Sequence, residues 1–78
     1  MTLKDCELNK TYIVEGINME NKHNFNKICS LGILPGAEIT IIRKNPIILF
    51  KISNSTFGID STLANNIYVK IADYNKNN

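Results

Sequence analysis

Leu31-Gly32-Ile33-Leu34-Pro35-Gly36 joins an amphipathic run to a strand-like one. The hexapeptide stops the first element and aims the second. Gly32 accepts the left-handed conformation that ends a helix, and Ile33 can fold back onto that helix's last turn. Pro35 fixes φ and Gly36 permits positive φ, so Leu34-Pro35-Gly36-Ala37 reads as a type II turn. Upstream, Phe25, Ile28 and Cys29 fall on one face of a helix that runs from about Asn21 to Leu31. Downstream, Ala37 to Arg43 reads as a strand with Ile39 and Ile41 on one face.

The same reasoning extends outward in both directions. Leu3 to Leu8 is a short lead-in, and Asn9-Lys10 is a turn, because Asn tolerates the left-handed conformation. Thr11 to Ile17 is β-branched and aromatic and predicts a strand. Lys44-Asn45-Pro46 breaks the second strand. Ile47 to Ile52 is a third strand with apolar residues on both faces, Ser53-Asn54-Ser55 a turn, and Thr56 to Ile59 a fourth strand. Asp60 to Ala64 opens with capping residues and predicts one helical turn. Ile67 to Ile71 alternates and ends the pattern. Five short strands, one short helix and a late helical turn predict a small, strongly bent antiparallel barrel. Its expected inward set is Ile13, Ile39, Ile41, Ile48, Phe50, Ile52, Phe57, Ile59, Ile67, Val69 and Ile71. Phe25, Ile28 and Leu31 are expected to plug one open end. Tyr12 and Tyr68 take the outward parity.

Composition narrows the function. The chain has 78 residues, which is room for one core, and we place the domain at residues 1–74 with a polar, disordered tail at 75–78. A net charge of +2 with scattered lysines and Arg43 as the sole arginine lacks the clustered basic face of a phosphate-backbone binder. Cys6 and Cys29 are the only cysteines, and their spacing gives neither a disulfide framework nor a zinc signature. The start of the chain is polar and mixed in charge, unlike a secretory signal, and Pro46 to Phe50 is too short to span a bilayer. These features predict a cytoplasmic protein.

Catalytic and metal chemistry find little material. His23 has no partner histidine, and Cys29 on an apolar helix face packs as a small hydrophobe. No intrinsic metal site and no cofactor are expected. Ser30, Ser53, Ser55 and Ser61 lack a base in recognisable context, and no Gly-rich phosphate loop is present. An enzyme is therefore not expected.

Two surface features remain. Leu31, Gly32, Ile33, Leu34, Pro35 and Gly36 form a rigid, partly apolar knuckle able to dock a partner. Pro46, Ile47 and Leu49 give the third strand a second apolar face, suited to self-association or to a partner protein. An alternative is a small barrel for single-stranded nucleic acid. Its material would be Tyr12, Tyr68 and Tyr74 interleaved with Lys10, Arg43 and Lys70.

The order of elements, with Leu31-Gly32-Ile33-Leu34-Pro35-Gly36, then Pro46, then Ile67-Tyr68-Val69, resembles the ferrous iron transport protein A family (FeoA). The same core is similar to the SH3-like C-terminal domain of some iron-dependent repressors. The resemblance covers about the first seventy residues and implies an SH3-like barrel in the cytoplasm. It also implies partnership with FeoB, the membrane GTPase-permease of ferrous iron uptake. Three positions depart from the family pattern. Lys27-Ile28 stands where an Arg-Leu pair is common, Pro46 runs directly into Ile47-Ile48-Leu49-Phe50 where Gly-Asp-Pro often follows the ribbon proline, and Ile59-Asp60 replaces Leu-Arg.

Overall fold

The computed structural model describes residues 1–72. The end of the domain at residue 74 and the tail at 75–78 lie outside the described residues. A 3₁₀ turn at Leu3–Asp5 precedes β1 (Thr11–Ile17), α1 (Lys22–Ser30), β2 (Glu38–Arg43), β3 (Ile48–Ile52), β4 (Ser55–Ile59), α2 (Ser61–Ala64) and β5 (Ile67–Ile71). The strands form one antiparallel sheet in the order β4-β3-β2-β1-β5. Ile59 from one outer strand and Ile67 and Val69 from the other share a single buried cluster. The sheet must therefore curl until its two ends serve one core, which is the small bent barrel that the sequence predicts.

The element boundaries follow from local chemistry. Asn21 caps α1 by accepting the Asn24 N–H at 2.9 Å, and Asp60 caps α2 by accepting the Leu63 N–H at 2.9 Å. α1 ends where Gly32 takes φ 85°, its N–H bonding the Cys29 carbonyl at 3.0 Å. Ile33 then turns fully inward to join Ile28 in the core. The Ala37 N–H closes the next turn on the Leu34 carbonyl at 3.0 Å, with Gly36 at φ 94°. Asn9 sits at φ 61°, as its turn position requires, and Ser53 opens the β3–β4 hairpin at φ 54°.

The expected packing needs three corrections. In β1 the buried side chains are Tyr12 and Val14, while Ile13 is only half-buried. Ile13 lies opposite Glu38 in β2 and Lys70 in β5, both exposed, so turning this face inward would drag charged side chains toward the core. Tyr12 can go inside because its hydroxyl accepts the Glu7 N–H at 2.9 Å. Ile71 has the inward parity but lies at the end of the β1–β5 ladder, opposite Tyr12, and is 49% exposed. Phe25 is half-buried and stands apart from the core cluster, so Ile28, Leu31 and Ile33 carry the packing at α1. Ile52 and Phe57 pack on the core while half-buried, the Phe57 ring 5.8 Å from that of Phe50.

Two residues of the lead-in prove to be core: Leu3 and Cys6 are fully buried. The segment is held by Asp5, whose carboxylate accepts from the Thr2 N–H at 3.0 Å and from its hydroxyl at 3.3 Å. The backbone bond from Thr2 holds this carboxyl below its usual value.

A paired substitution separates backbone strain from crowding. No heavy atom stands within 4 Å of a Cβ built at Gly16 or at Gly32, yet only Gly32 has positive φ. Gly32→Ala should cost about 1–2 kcal/mol, whereas Gly16→Ala in the strand should be neutral or stabilise by about 0.5 kcal/mol. Thermal melts check both, since about 1 kcal/mol moves the midpoint by roughly 4–8 °C in a domain of this size.

Candidate docking surface

The expected surface residues divide between two places. Leu34, Pro35 and Gly36 are exposed at the knuckle, Leu34 by 51%. Gly32 is also exposed, but Leu31 packs against the core and Ile33 is buried within it. The knuckle is thus a pinned turn with Leu34 and Pro35 protruding. Its Gly36 N–H donates to the Val14 carbonyl at 2.8 Å, and Val14 N–H returns a bond to the Ala37 carbonyl at 2.9 Å.

Pro46 and Ile47 are exposed at the other end of β2, and Leu49 is half-buried. From Ala37 to Arg43 the chain advances about 20 Å at strand spacing. The knuckle and the β2–β3 bend therefore do not form one patch. Ile47 stays partly covered by lying over Gly58, where its Cδ1 occupies the space a side chain would need. Leu49 pairs with Gly58 in the ladder, so the glycine opens a shallow seat for both side chains.

The sequence reading missed two further members of this end. A bulge between Ile41 and Arg43 breaks the alternation of β2 and leaves Ile42 38% exposed. Leu8, 50% exposed, bridges to Ile41 on the flank of β2 opposite β3, and the Asn9 N–H donates to the Ile41 carbonyl at 2.7 Å. Exposed Ile42 and Ile47 thus stand at the β2–β3 bend with Arg43 beside them, while Leu8 lies on the far flank of β2 and Lys44 bonds the Lys4 carbonyl at 3.3 Å. No sequence periodicity signals a bulge, and Leu8 lies outside any strand.

The 3₁₀ turn of the lead-in packs against α2 and β5. Tyr12 points inside, which takes one aromatic from the nucleic-acid reading; Tyr68 is exposed and Tyr74 lies outside the described residues. Among the described residues there is no group of three or more His, Cys, Asp or Glu side chains placed to hold a metal ion. No helix among them is long and apolar enough to cross a membrane.

The comparisons agree with this geometry. Residues 1–71 match the model of the FeoA domain. The chain belongs to the FeoA family. A FeoA-like protein from Clostridium acetobutylicum is similar at 28% identity and a TM-score of 0.83, over 91% of this chain and 85% of that one. A zinc-complexed FeoA from Stenotrophomonas maltophilia, described as a prokaryotic SH3 domain protein, shares the fold at 22% identity and TM-score 0.80, covering 90% and 89% of the two chains. The repressor IdeR of T. acidophilum shares it at 17% identity and TM-score 0.85, with 92% of this chain matching 34% of that one. Among curated proteins, none matches the chain. The SH3-like class expected from the sequence is thereby established, and this FeoA domain corresponds to one part of the repressor.

The two cysteines of the FeoA domain differ in a measurable way. Cys6 is fully buried and Cys29 half-buried. Burial pushes the Cys6 thiol up to about 11 from 9.0. In native protein at mildly alkaline pH, a thiol reagent should label Cys29 first and Cys6 only at the rate of unfolding. The raised value also sets a stability window. An exposed Cys6 in the unfolded chain ionises near 9 while the folded one holds its proton to about 11. The contribution is complete below pH 9 and is lost as pH rises through 11. Cys6→Ala should flatten that alkaline decline in urea titrations.

Proposed function

We propose that this FeoA domain is a non-catalytic cytoplasmic accessory of ferrous iron uptake. It acts by docking on the cytoplasmic part of the membrane GTPase-permease FeoB. Membership of the family supports the transport role, and the Stenotrophomonas maltophilia relative is described as a candidate activating factor of bacterial ferrous iron transport. The observation that carries the docking reading is the exposed apolar pair at the β2–β3 bend. Ile42 and Ile47 are 38 and 45% exposed there, with Arg43 and Lys44 alongside. Apolar side chains grouped at one end, with cations at their margin, suit a partner that offers a hydrophobic seat and acidic surroundings.

In this mechanism Ile47 is the anchor. It stands on the hairpin side of the bend, and its seat over Gly58 fixes its position before binding. Fixing an anchor in advance lowers the ordering cost of association. Leu34 at the knuckle is a second, separate contact that a large partner could reach across the length of β2. The domain supplies no phosphate loop, so hydrolysis stays with the GTPase and the domain biases its state by contact.

Calorimetric titration against the cytoplasmic part of the permease, with and without a GTP analogue, tests the reading. Saturable binding is expected. Ile47→Glu removes the anchor, and burying an Ile side chain is worth about 1.5–3 kcal/mol, or roughly a 10- to 100-fold loss of affinity. The melting temperature should stay within a few degrees, because Ile47 contributes little to the core. A folded Ile47→Glu variant with wild-type affinity would remove the β2 end from the interface.

A further inference from the structure

The two outer strands of the sheet are treated differently. β5 is sealed: its Val69 N–H donates to the Met1 carbonyl at 3.0 Å, and Thr2 bridges to Tyr68. Among the described residues β4 has no such cover: no backbone hydrogen bond reaches Ser55–Ile59 from the side away from β3. Nor does its sequence, Ser55-Thr56-Phe57-Gly58-Ile59, carry the charge or proline that normally protects an edge.

The ladder tells which groups are free. Ile52 and Ser55 close a two-residue turn, so they exchange hydrogen bonds, and Phe50–Phe57 and Ile48–Ile59 do likewise by alternation. Thr56 and Gly58 therefore direct their N–H and C=O groups outward. An unpaired backbone edge of this kind calls for another extended strand.

We propose that β4 is the pairing edge of a symmetric dimer, in which β4 of a second copy runs antiparallel and joins the two sheets. This goes beyond the docking reading and does not depend on it. One register satisfies both the free groups and a two-fold axis. It pairs Thr56 with Gly58 of the second copy, and Gly58 with Thr56, leaving Phe57 opposite Phe57 at the axis. Phe57 is half-buried and retains ring surface for that contact. Cross-strand aromatic pairs add to edge pairing, and side chains approach closest in a non-hydrogen-bonded pair. The charges are compatible with a like partner. Asp60 is opposite Asn54 in this register, and the two copies of Asp60 are separated by six strand residues, about 20 Å. Lys51, paired with Thr56 in the ladder, faces Gly58 and Leu49 of the second copy across the join, so no like charges meet.

Sedimentation of the full chain from micromolar to millimolar concentration tests the proposal, read alongside amide exchange. A monomer–dimer equilibrium is expected, with exchange at Thr56 and Gly58 slowing as the dimer fills. Thr56→Pro removes a free donor without touching the β3 ladder, since proline is tolerated on an outward edge. It should abolish the dimer. If Thr56→Pro fails to fold, the concentration dependence of the two wild-type amides decides alone. A monomer at millimolar concentration, a dimer with both amides unprotected, or a folded Thr56→Pro that still dimerises would each overturn the proposal. A wild-type chain that stays monomeric but protects both amides only when an unrelated extended peptide is added would overturn it too, in favour of strand capture.

Discussion

Val14 gives both backbone groups on one flank to the loop that ends α1. Its carbonyl takes the Gly36 N–H and its N–H reaches the Ala37 carbonyl, at 2.8 and 2.9 Å. Those two bonds fix where β2 starts against β1, and the ladder then continues through Ile13–Glu38, Tyr12–Ile39 and Thr11–Thr40. A slip of one residue would reverse every side chain of β2, sending Ile39 and Ile41 to solvent. The pin works only if the chain can arrive at the right angle, which needs Gly36 at φ 94° and Gly32 at φ 85°. Helix stop, turn and sheet register are thus a single constraint, and the buried positions of Ile28 and Ile33 follow from it.

That linkage explains why so much of the fold is legible in one hexapeptide. Gly32, Pro35 and Gly36 each admit few backbone states, so their spacing leaves little freedom in what they join. The strands are legible because alternation survives throughout β5 and in β2 as far as its bulge. β1 is harder, since Tyr12 and Val14 on one parity compete with Ile13 and Ile17 on the other. The arbiter is the pairing of Ile13 with Glu38 and Lys70, a property of three strands and not of one. The hydroxyl of Tyr12 was misleading: it suits an outward position until a donor such as the Glu7 N–H meets it inside. Leu3 and Cys6 were invisible for another reason. A six-residue lead-in has no period to read, and its burial depends on β5 and α2, far away in sequence.

The candidate surface was legible only where it broke a rule of patterning. Ile47 and Leu49 declared themselves by placing apolar residues on the face of β3 that should be polar. Ile42 did not, because an extra residue in β2 is a property of two strands and not of one. Leu8 did not, because its neighbour Ile41 is brought to it by the Asn9 turn. The expected docking residues therefore split, Leu34 going to one end of β2 and Ile47 to the other.

The treatment of the two sheet edges follows from the same economy of a small chain. With so few residues, the lead-in can protect only one outer strand, and it lies along β5. Burying Leu3 there adds to the core at the same time. β4 is left to its own sequence, and that sequence makes the opposite choice from a defended edge: no charge, no proline, and a glycine whose outer face is filled by Ile47 from the neighbouring strand. The arrangement keeps the anchor of the docking surface and the free edge on one hairpin. Occupation of the edge would stiffen β4, and through the Gly58 seat it would also steady Ile47.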